Sequence, residues 1–199
     1  MTHDMLIIFD LDYTLLDTLG FKKGLAEALN LEFDVYHENC KKHFKDTNIL
    51  YNLEKHLKIL EQENSGVKIK DDFFSSIGSY LFPEAEDILK KMKNAGHKLV
   101  LLTYGDVKWQ KQKVENLKIK KYFDEIIYTD KKKSKTEELR DFLIKNAIHK
   151  FLIVNDNAKE CLEIKEVFEE CEIFLVKGRY SENAEHDFEI RELVKILDL

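Results

Sequence analysis

Five short apolar runs, MLIIF (5–9), KLVLLT (98–103), EIIY (125–128), FLIV (151–154) and EIFLV (172–176), constrain this chain more than any other feature. They are nearly continuous instead of alternating, so each must bury both faces, as strands inside a parallel sheet do. The last four alternate with helical periodicities over 84–96, 106–117, 135–147 and 158–171, the first closed by Gly96 as a C-cap. That rhythm predicts right-handed crossovers and an α/β fold with a doubly wound, mainly parallel, Rossmann-like sheet.

The first strand departs from the rhythm. Between Asp17 and Tyr80 there is no strand pattern, only helical periodicity near 19–31, 35–62 and 71–81, with Gly66 marking a break. Pro83, the single proline, then reopens the α/β register. The expected organisation is an α/β catalytic core made of 1–17 plus 82–199, and a helical cap over 18–81. Asp17–Gly20 and Ser79–Pro83 are the two connections. A chain of 199 residues accommodates one domain with such an insertion.

Composition narrows the partners. A net charge of -6 disfavours nucleic acid or an anionic membrane, though a local metal or lysine can still hold a small anion. No apolar run approaches the ~18 residues that span a bilayer, and no signal core precedes Asp10, so a cytoplasmic location is expected. Cys40, Cys161 and Cys171 lack tight spacing and read as reduced thiols. His37, Cys40 and His43 recur at helical steps, but a zinc site needs a further ligand, so they read as ordinary helix residues. Lys131–Lys133 reads as a solvated loop.

Ligands of open parallel sheets bind beyond the carboxyl ends of the strands. There the first strand delivers Asp10 and Asp12, the second Thr103, and the third leads to Lys133 and Lys135. The fourth delivers Asn155, Asp156 and Asn157, with Glu160 one turn later. Taken singly, each residue is commonly a cap, a turn former or a solvated charge. Together, a carboxylate, a hydroxyl, a cation and further carboxylates in one crevice suit a phosphoryl group with a divalent metal.

The order and wording of these segments resemble the haloacid dehalogenase superfamily of hydrolases over nearly the whole chain. The DxDxT motif stands here as Asp10, Asp12 and Thr14 in FDLDYTLLDT. The Ser/Thr motif is Thr103, the lysine motif Lys135 or Lys133, and the acidic motif Asn155-Asp156-x-x-x-Glu160. Tyr13, Tyr104 and Asn155 depart from the commonest residues at their positions.

The resemblance implies a phosphatase acting on a small phosphorylated metabolite through an aspartyl phosphate. Asp10 is the implied nucleophile, already ionised at neutral pH. Mg²⁺ is implied on Asp10, the Asp12 carbonyl and Asp156. Thr103, Tyr104 and Lys135 are the implied phosphate-binding groups, with Glu160, Asn155 and Thr14 in support and Glu160 orienting water or Lys135. Asp12 is the implied acid and base, its pKa expected to rise beside an ionised neighbour. An Asp there favours phosphoester hydrolysis over carbon–halogen cleavage. A phosphotransferase or phosphomutase with the same intermediate, or a phosphate-binding module of the same fold, remain alternatives. Lys22, Lys23, His37, His43, Tyr51 and Arg179 are candidates to face the substrate, each also at home on a solvated surface. Oligomeric state is not readable.

Overall fold

The structure is a computed structural model that describes residues 5–63, 67–70 and 72–198. Gly66, read as a break, lies outside the described residues. The strands are β1 (Leu6–Phe9), β2 (Lys98–Tyr104), β3 (Glu125–Thr129), β4 (Phe151–Asn155), β5 (Cys171–Val176) and β6 (Ile190–Arg191). They form a six-stranded sheet in the order β3-β2-β1-β4-β5-β6, and every pairing is parallel. The doubly wound expectation holds. β6 was not expected, since two half-buried residues beside β5 leave no apolar run to read.

The continuous apolar runs follow from two cores, one on each face. Ile7, Phe9, Leu99, Leu101, Leu152 and Val154 pack on one side. Their alternates Leu6, Ile8, Val100, Leu102 and Ile153 pack on the other. Period-2 geometry divides each strand between the two. The first core meets α5 (Ala85–Asn94) and α6 (Val107–Leu117). The second meets α7 (Lys135–Asn146) and α8 (Ala158–Val167). The chain runs outward from β1 to β3, then crosses back to β4 on β1's other side. The carboxyl ends of β1 and β4 therefore flank the topological switch point, where such sheets open a crevice.

Between β1 and α5 the described residues form α1 (Thr18–Ala28), α2 (Phe33–Cys40), α3 (Leu53–Glu63) and α4 (Phe73–Ser76). The single helix expected over 35–62 is two. Asn48 takes a left-handed φ of 54°, and Asn52 accepts from Lys55 N–H at 3.1 Å to start α3 afresh. The two connections pair with one another: Asp17 N–H donates to Tyr80 O at 2.8 Å and Phe82 N–H to Leu15 O at 2.9 Å. Among the described residues no helix is long and apolar enough to cross a membrane.

The centre of the helical segment is His56, fully buried among the rings of Tyr36, Phe44 and Tyr51. Its Nε2–H donates to Asn39 Oδ1 at 2.9 Å, and Nδ1 accepts from the Tyr51 hydroxyl at 3.1 Å. Both bonds are satisfied by the neutral ring, and burial pushes its pKa down to about 4. The unfolded chain protonates near 6.5 and so binds more protons than the fold between about 4 and 6.5. Stability then rises with pH across that window and is lost on acidification. Thermal melts from pH 7 to 4.5 should show a steeper fall for wild type than for His56→Gln. Parallel falls would contradict the assignment.

Candidate active site

β1 ends at Phe9, but Asp10 stays in register, donating its N–H to Val154 O at 2.9 Å. This holds its carboxylate, only 8% exposed, at the edge of the crevice. Lys135, the first residue of α7, reaches it: Nζ lies 2.6 Å from Asp10 Oδ1 and 2.7 Å from Glu160 Oε2. Its position follows from a capping box in which Ser134 Oγ accepts from Glu137 N–H at 3.2 Å and Glu137 Oε2 from Ser134 N–H at 2.8 Å. Glu160 also accepts from Asn155 Nδ2 at 3.0 Å, and Asn157 caps α8 through Glu160 N–H at 3.2 Å. Glu160 thus orients Lys135. Lys133 instead pairs with Asp141 at 2.6 Å and Glu138 at 3.2 Å on the outer side of α7. Lys131 of the same run is not merely solvated, since its ammonium donates to Asn48.

Asp156, at the end of β4, is 2% exposed. Its N–H donates to Thr14 Oγ1 at 3.0 Å, and its carboxylate accepts from Tyr180 N–H at 3.3 Å. Gly178 lets that loop approach, because a Cβ there would stand 2.6 Å from Asp156 Cβ. Burial, then the nearby Asp10 charge, raises Asp156 to about 7. Burial raises Asp10 to about 6 against the pull of Lys135. Lys135 is held above the ordinary lysine range, Asp10 and Glu160 outweighing its burial. Two buried carboxylates, both raised, are a donor set short of positive charge. Among the described residues no group of three or more His, Cys, Asp or Glu is arranged to hold a metal. Mg²⁺ asks for less, one or two carboxylates with carbonyl and water oxygens, so Asp10, Asp156 and the Asp12 carbonyl fit it.

Thr103 is the penultimate residue of β2, which lies beside β1. Its buried hydroxyl and Gln110 Oε1 are the only buried side-chain polar atoms without a partner among the described residues. A buried unpaired hydroxyl is costly, which suits a group meant to meet a ligand.

The second aspartate differs from expectation. Asp12 accepts from Lys113 Nζ through both oxygens, at 2.8 and 2.7 Å, from Gln110 Nε2 at 3.1 Å and from the Thr18 hydroxyl at 2.9 Å. Burial alone would raise its pKa, but the Lys113 ammonium outweighs burial, aided by Gln110 and Thr18, and lowers it to about 2. The expected rise beside Asp10 is therefore corrected: its dominant neighbour is a cation from α6. Gln110 and Lys113 went unread in the sequence. The available signal was their spacing, since 110, 113, 114 and 117 share the helix face that Val114 and Leu117 bury.

Tyr13 adopts a φ of 64°, uncommon for a bulky residue. Its hydroxyl accepts from Lys22 Nζ at 3.4 Å and Arg179 Nη1 at 3.3 Å, and its ring meets Tyr180 edge-on at 5.5 Å. These residues border a cavity of about 530 Å³ between the helical segment and the sheet, with Asp12 in its wall. Of the candidate substrate-facing residues, Lys22, His37, Tyr51 and Arg179 border it, as does Tyr104. Lys23 sits over the Phe33 ring and His43 bonds Glu63 at 3.0 Å; neither lines the cavity. His43's partner is thus a carboxylate, in keeping with ordinary helix residues.

Breaking the Asp12–Lys113 pair leaves a carboxylate without its counter-charge. Lys113→Met should cost about 3 kcal/mol, the low end for a buried pair because Asp12 keeps some solvent contact. Urea melts should show Lys113→Met/Asp12→Asn recovering most of that loss. Additive losses would refute the coupling.

The model for haloacid dehalogenase-like hydrolases matches residues 7–171. No curated protein matches significantly. Among solved structures, a provisionally named haloacid dehalogenase-like hydrolase from Burkholderia xenovorans LB400 superposes with a TM-score of 0.69 at 15% identity, covering 99% of this chain and 96% of its own. A predicted phosphatase from Clostridium acetobutylicum gives 0.62 at 20% identity, covering 98% and 99%. A provisionally named hydrolase of this kind from Bacillus subtilis, bound to magnesium and described as showing interdomain movement, gives 0.61 at 14% identity, covering 98% and 97%.

Proposed function

Because this chain belongs to the haloacid dehalogenase-like hydrolases, we propose that it is a Mg²⁺-dependent phosphatase of a small phosphorylated metabolite. The core is 1–17 plus 82–199, and 18–81 act as a cap. The observation that carries this reading is the buried Lys135 ammonium, 2.6 Å from Asp10 and 2.7 Å from Glu160, at the carboxyl edge of the sheet.

Lys135 keeps one Asp10 oxygen in place and leaves the other to attack phosphorus. The bond to the leaving oxygen breaks as the aspartyl phosphate forms on Asp10. Thr103 gives its unpaired hydroxyl to a phosphoryl oxygen, and Lys135 stabilises the charge that spreads there. When bound, Mg²⁺ supplies the positive charge that lets the Asp10 carboxylate approach an anion. Asp12, held ionised by Lys113, is suited to take the proton of the water that hydrolyses the acyl phosphate. For the opposite transfer, the negative charge of the bound phosphoryl group opposes Lys113 and lifts the Asp12 pKa toward a form that protonates the leaving oxygen.

Asp10→Asn should lower hydrolysis of an aryl phosphate by about 10³-fold or more, the scale of losing a nucleophile; substantial residual turnover would refute its role. Asp12→Ala should cost most with poor leaving groups, and an equal loss across a leaving-group series would refute it as the acid. Mg²⁺ should raise the melting temperature more at pH 7.5 than at pH 5.5. With pKa values of about 6 for Asp10 and about 7 for Asp156, both carboxylates are mostly ionised at the higher pH and mostly protonated at the lower. Asp156→Asn should remove the effect. No rise at either pH would count against the metal site.

A further inference from the structure

We propose that the cavity beside Asp12 selects phosphomonoesters whose organic part is an apolar ring, in preference to polyol phosphates. The inference rests on the hydrolase reading above and names the substrate class of that same site.

Exposure points first to the cavity. Leu19 at 38%, Ile49 at 47%, Tyr104 at 40% and Tyr180 at 36% keep large apolar surfaces in contact with solvent, and all four border it. They come from α1, from the loop before α3, from the end of β2 and from the loop after β5. Side chains from four separate segments turned to one opening form a lining, unlike isolated exposed residues. Further in, the wall is aromatic: Phe44 packs on Tyr51 at 5.0 Å and Tyr51 on Trp109 at 5.7 Å. Flat rings favour such walls through offset and edge-on packing.

The inner wall gives the second reason, because Thr18, Tyr51, Asp106 and Gln110 there already bond within the protein. The Thr18 hydroxyl donates to Asp12 at 2.9 Å, and the Tyr51 hydroxyl donates to His56 at 3.1 Å. Asp106 Oδ1 accepts from Asn52 Nδ2 at 2.8 Å and Trp109 N–H at 3.0 Å. Gln110 Nε2 is spent on Asp12 and on Tyr104 O at 2.6 Å. Of these four, only Gln110 keeps a buried acceptor, Oε1, without a partner, so a sugar's hydroxyls meet few free partners beside the rings. A polyol drawn in would leave hydroxyls unpaired, which costs far more than a ring forgoes.

Charge supplies the attraction for the phosphate itself. Lys22, Lys41, Lys45 and Arg179 border the opening, and none pairs with a carboxylate among the described residues. In a chain of net charge -6 this is a local positive field, which steers an anion inward without reading its organic part.

The test compares 2-phenylethyl phosphate with glucose 6-phosphate, both esters of primary alcohols, with acetyl phosphate as a substrate too small to reach the wall. The expected result is a kcat/KM at least about tenfold higher for the phenylethyl ester. Ile49→Asn should erase most of that preference, read as the ratio of the two kcat/KM values within the variant, so that any general loss of turnover cancels. Equal or faster turnover of glucose 6-phosphate, or an unchanged preference in the variant, would overturn the proposal and leave the hydrolase reading standing. Failure to turn over any of the three would instead defeat the hydrolase reading. Calorimetric binding of 2-phenylethylphosphonate against methylphosphonate then decides the pocket: tighter binding weakened by Ile49→Asn supports it, and equal binding refutes it.

Discussion

The Lys135 ammonium is the charge on which the crevice depends. Asp10 and Asp156, both buried, meet the half-buried Glu160 where the strand order of the sheet reverses. Like charges so placed repel, and burial adds to the cost of ionising each. Lys135 offsets this for Asp10 and Glu160 while itself remaining charged in a buried place. It can do so because the Ser134–Glu137 capping box sets the start of α7 and because α7 packs through Leu139 and Phe142 on the sheet face of Ile8, Val100 and Leu102. Moving that start by one residue would turn the ammonium about 100° around the helix, away from Asp10.

Asp10 and Asp12 are separated by one residue and driven in opposite directions. Asp10 is raised to about 6 and Asp12 lowered to about 2. The peptide between them cannot cause such a split. It comes from the surroundings of each: at Asp10 burial, with the Glu160 charge, outweighs Lys135, whereas at Asp12 Lys113 from α6 outweighs burial. Neighbouring carboxylates with separated pKa values are how a site assigns different roles to the same functional group. Here Lys113 sets the charge of Asp12 from the side of the cavity, so Asp12 is electrically tied to α6.

The sheet was legible because strands buried on both faces must be apolar throughout, and MLIIF and FLIV have no other comfortable place. The sequence favours Lys135 over Lys133 because it lies next to the expected helix start, and the Ser134 cap makes it the first residue of α7. Gln110 and Lys113 were hidden by their own chemistry. A polar residue on a helix normally faces water, and nothing local announces a carboxylate from β1 waiting beneath α6. The division of the expected 35–62 helix was equally obscure, because Asn48 and Asn52 are ordinary letters until the chain turns there.

What the sequence determined by itself is the alternation of buried strands and amphipathic helices, and the positions where strand ends deliver Asp10, Thr103 and Asp156. Those follow from hydrophobic period and from the rule that open sheets act at their carboxyl edge. What only the tertiary structure decided is which charges meet: Lys135 with Asp10 and Glu160, Lys113 with Asp12, and Lys22 with Arg179 across Tyr13. The reason is electrostatic. A charge changes its neighbour's protonation only at a few ångströms and away from water, and residues 101 or 125 positions apart reach that distance only once the sheet has brought their elements together.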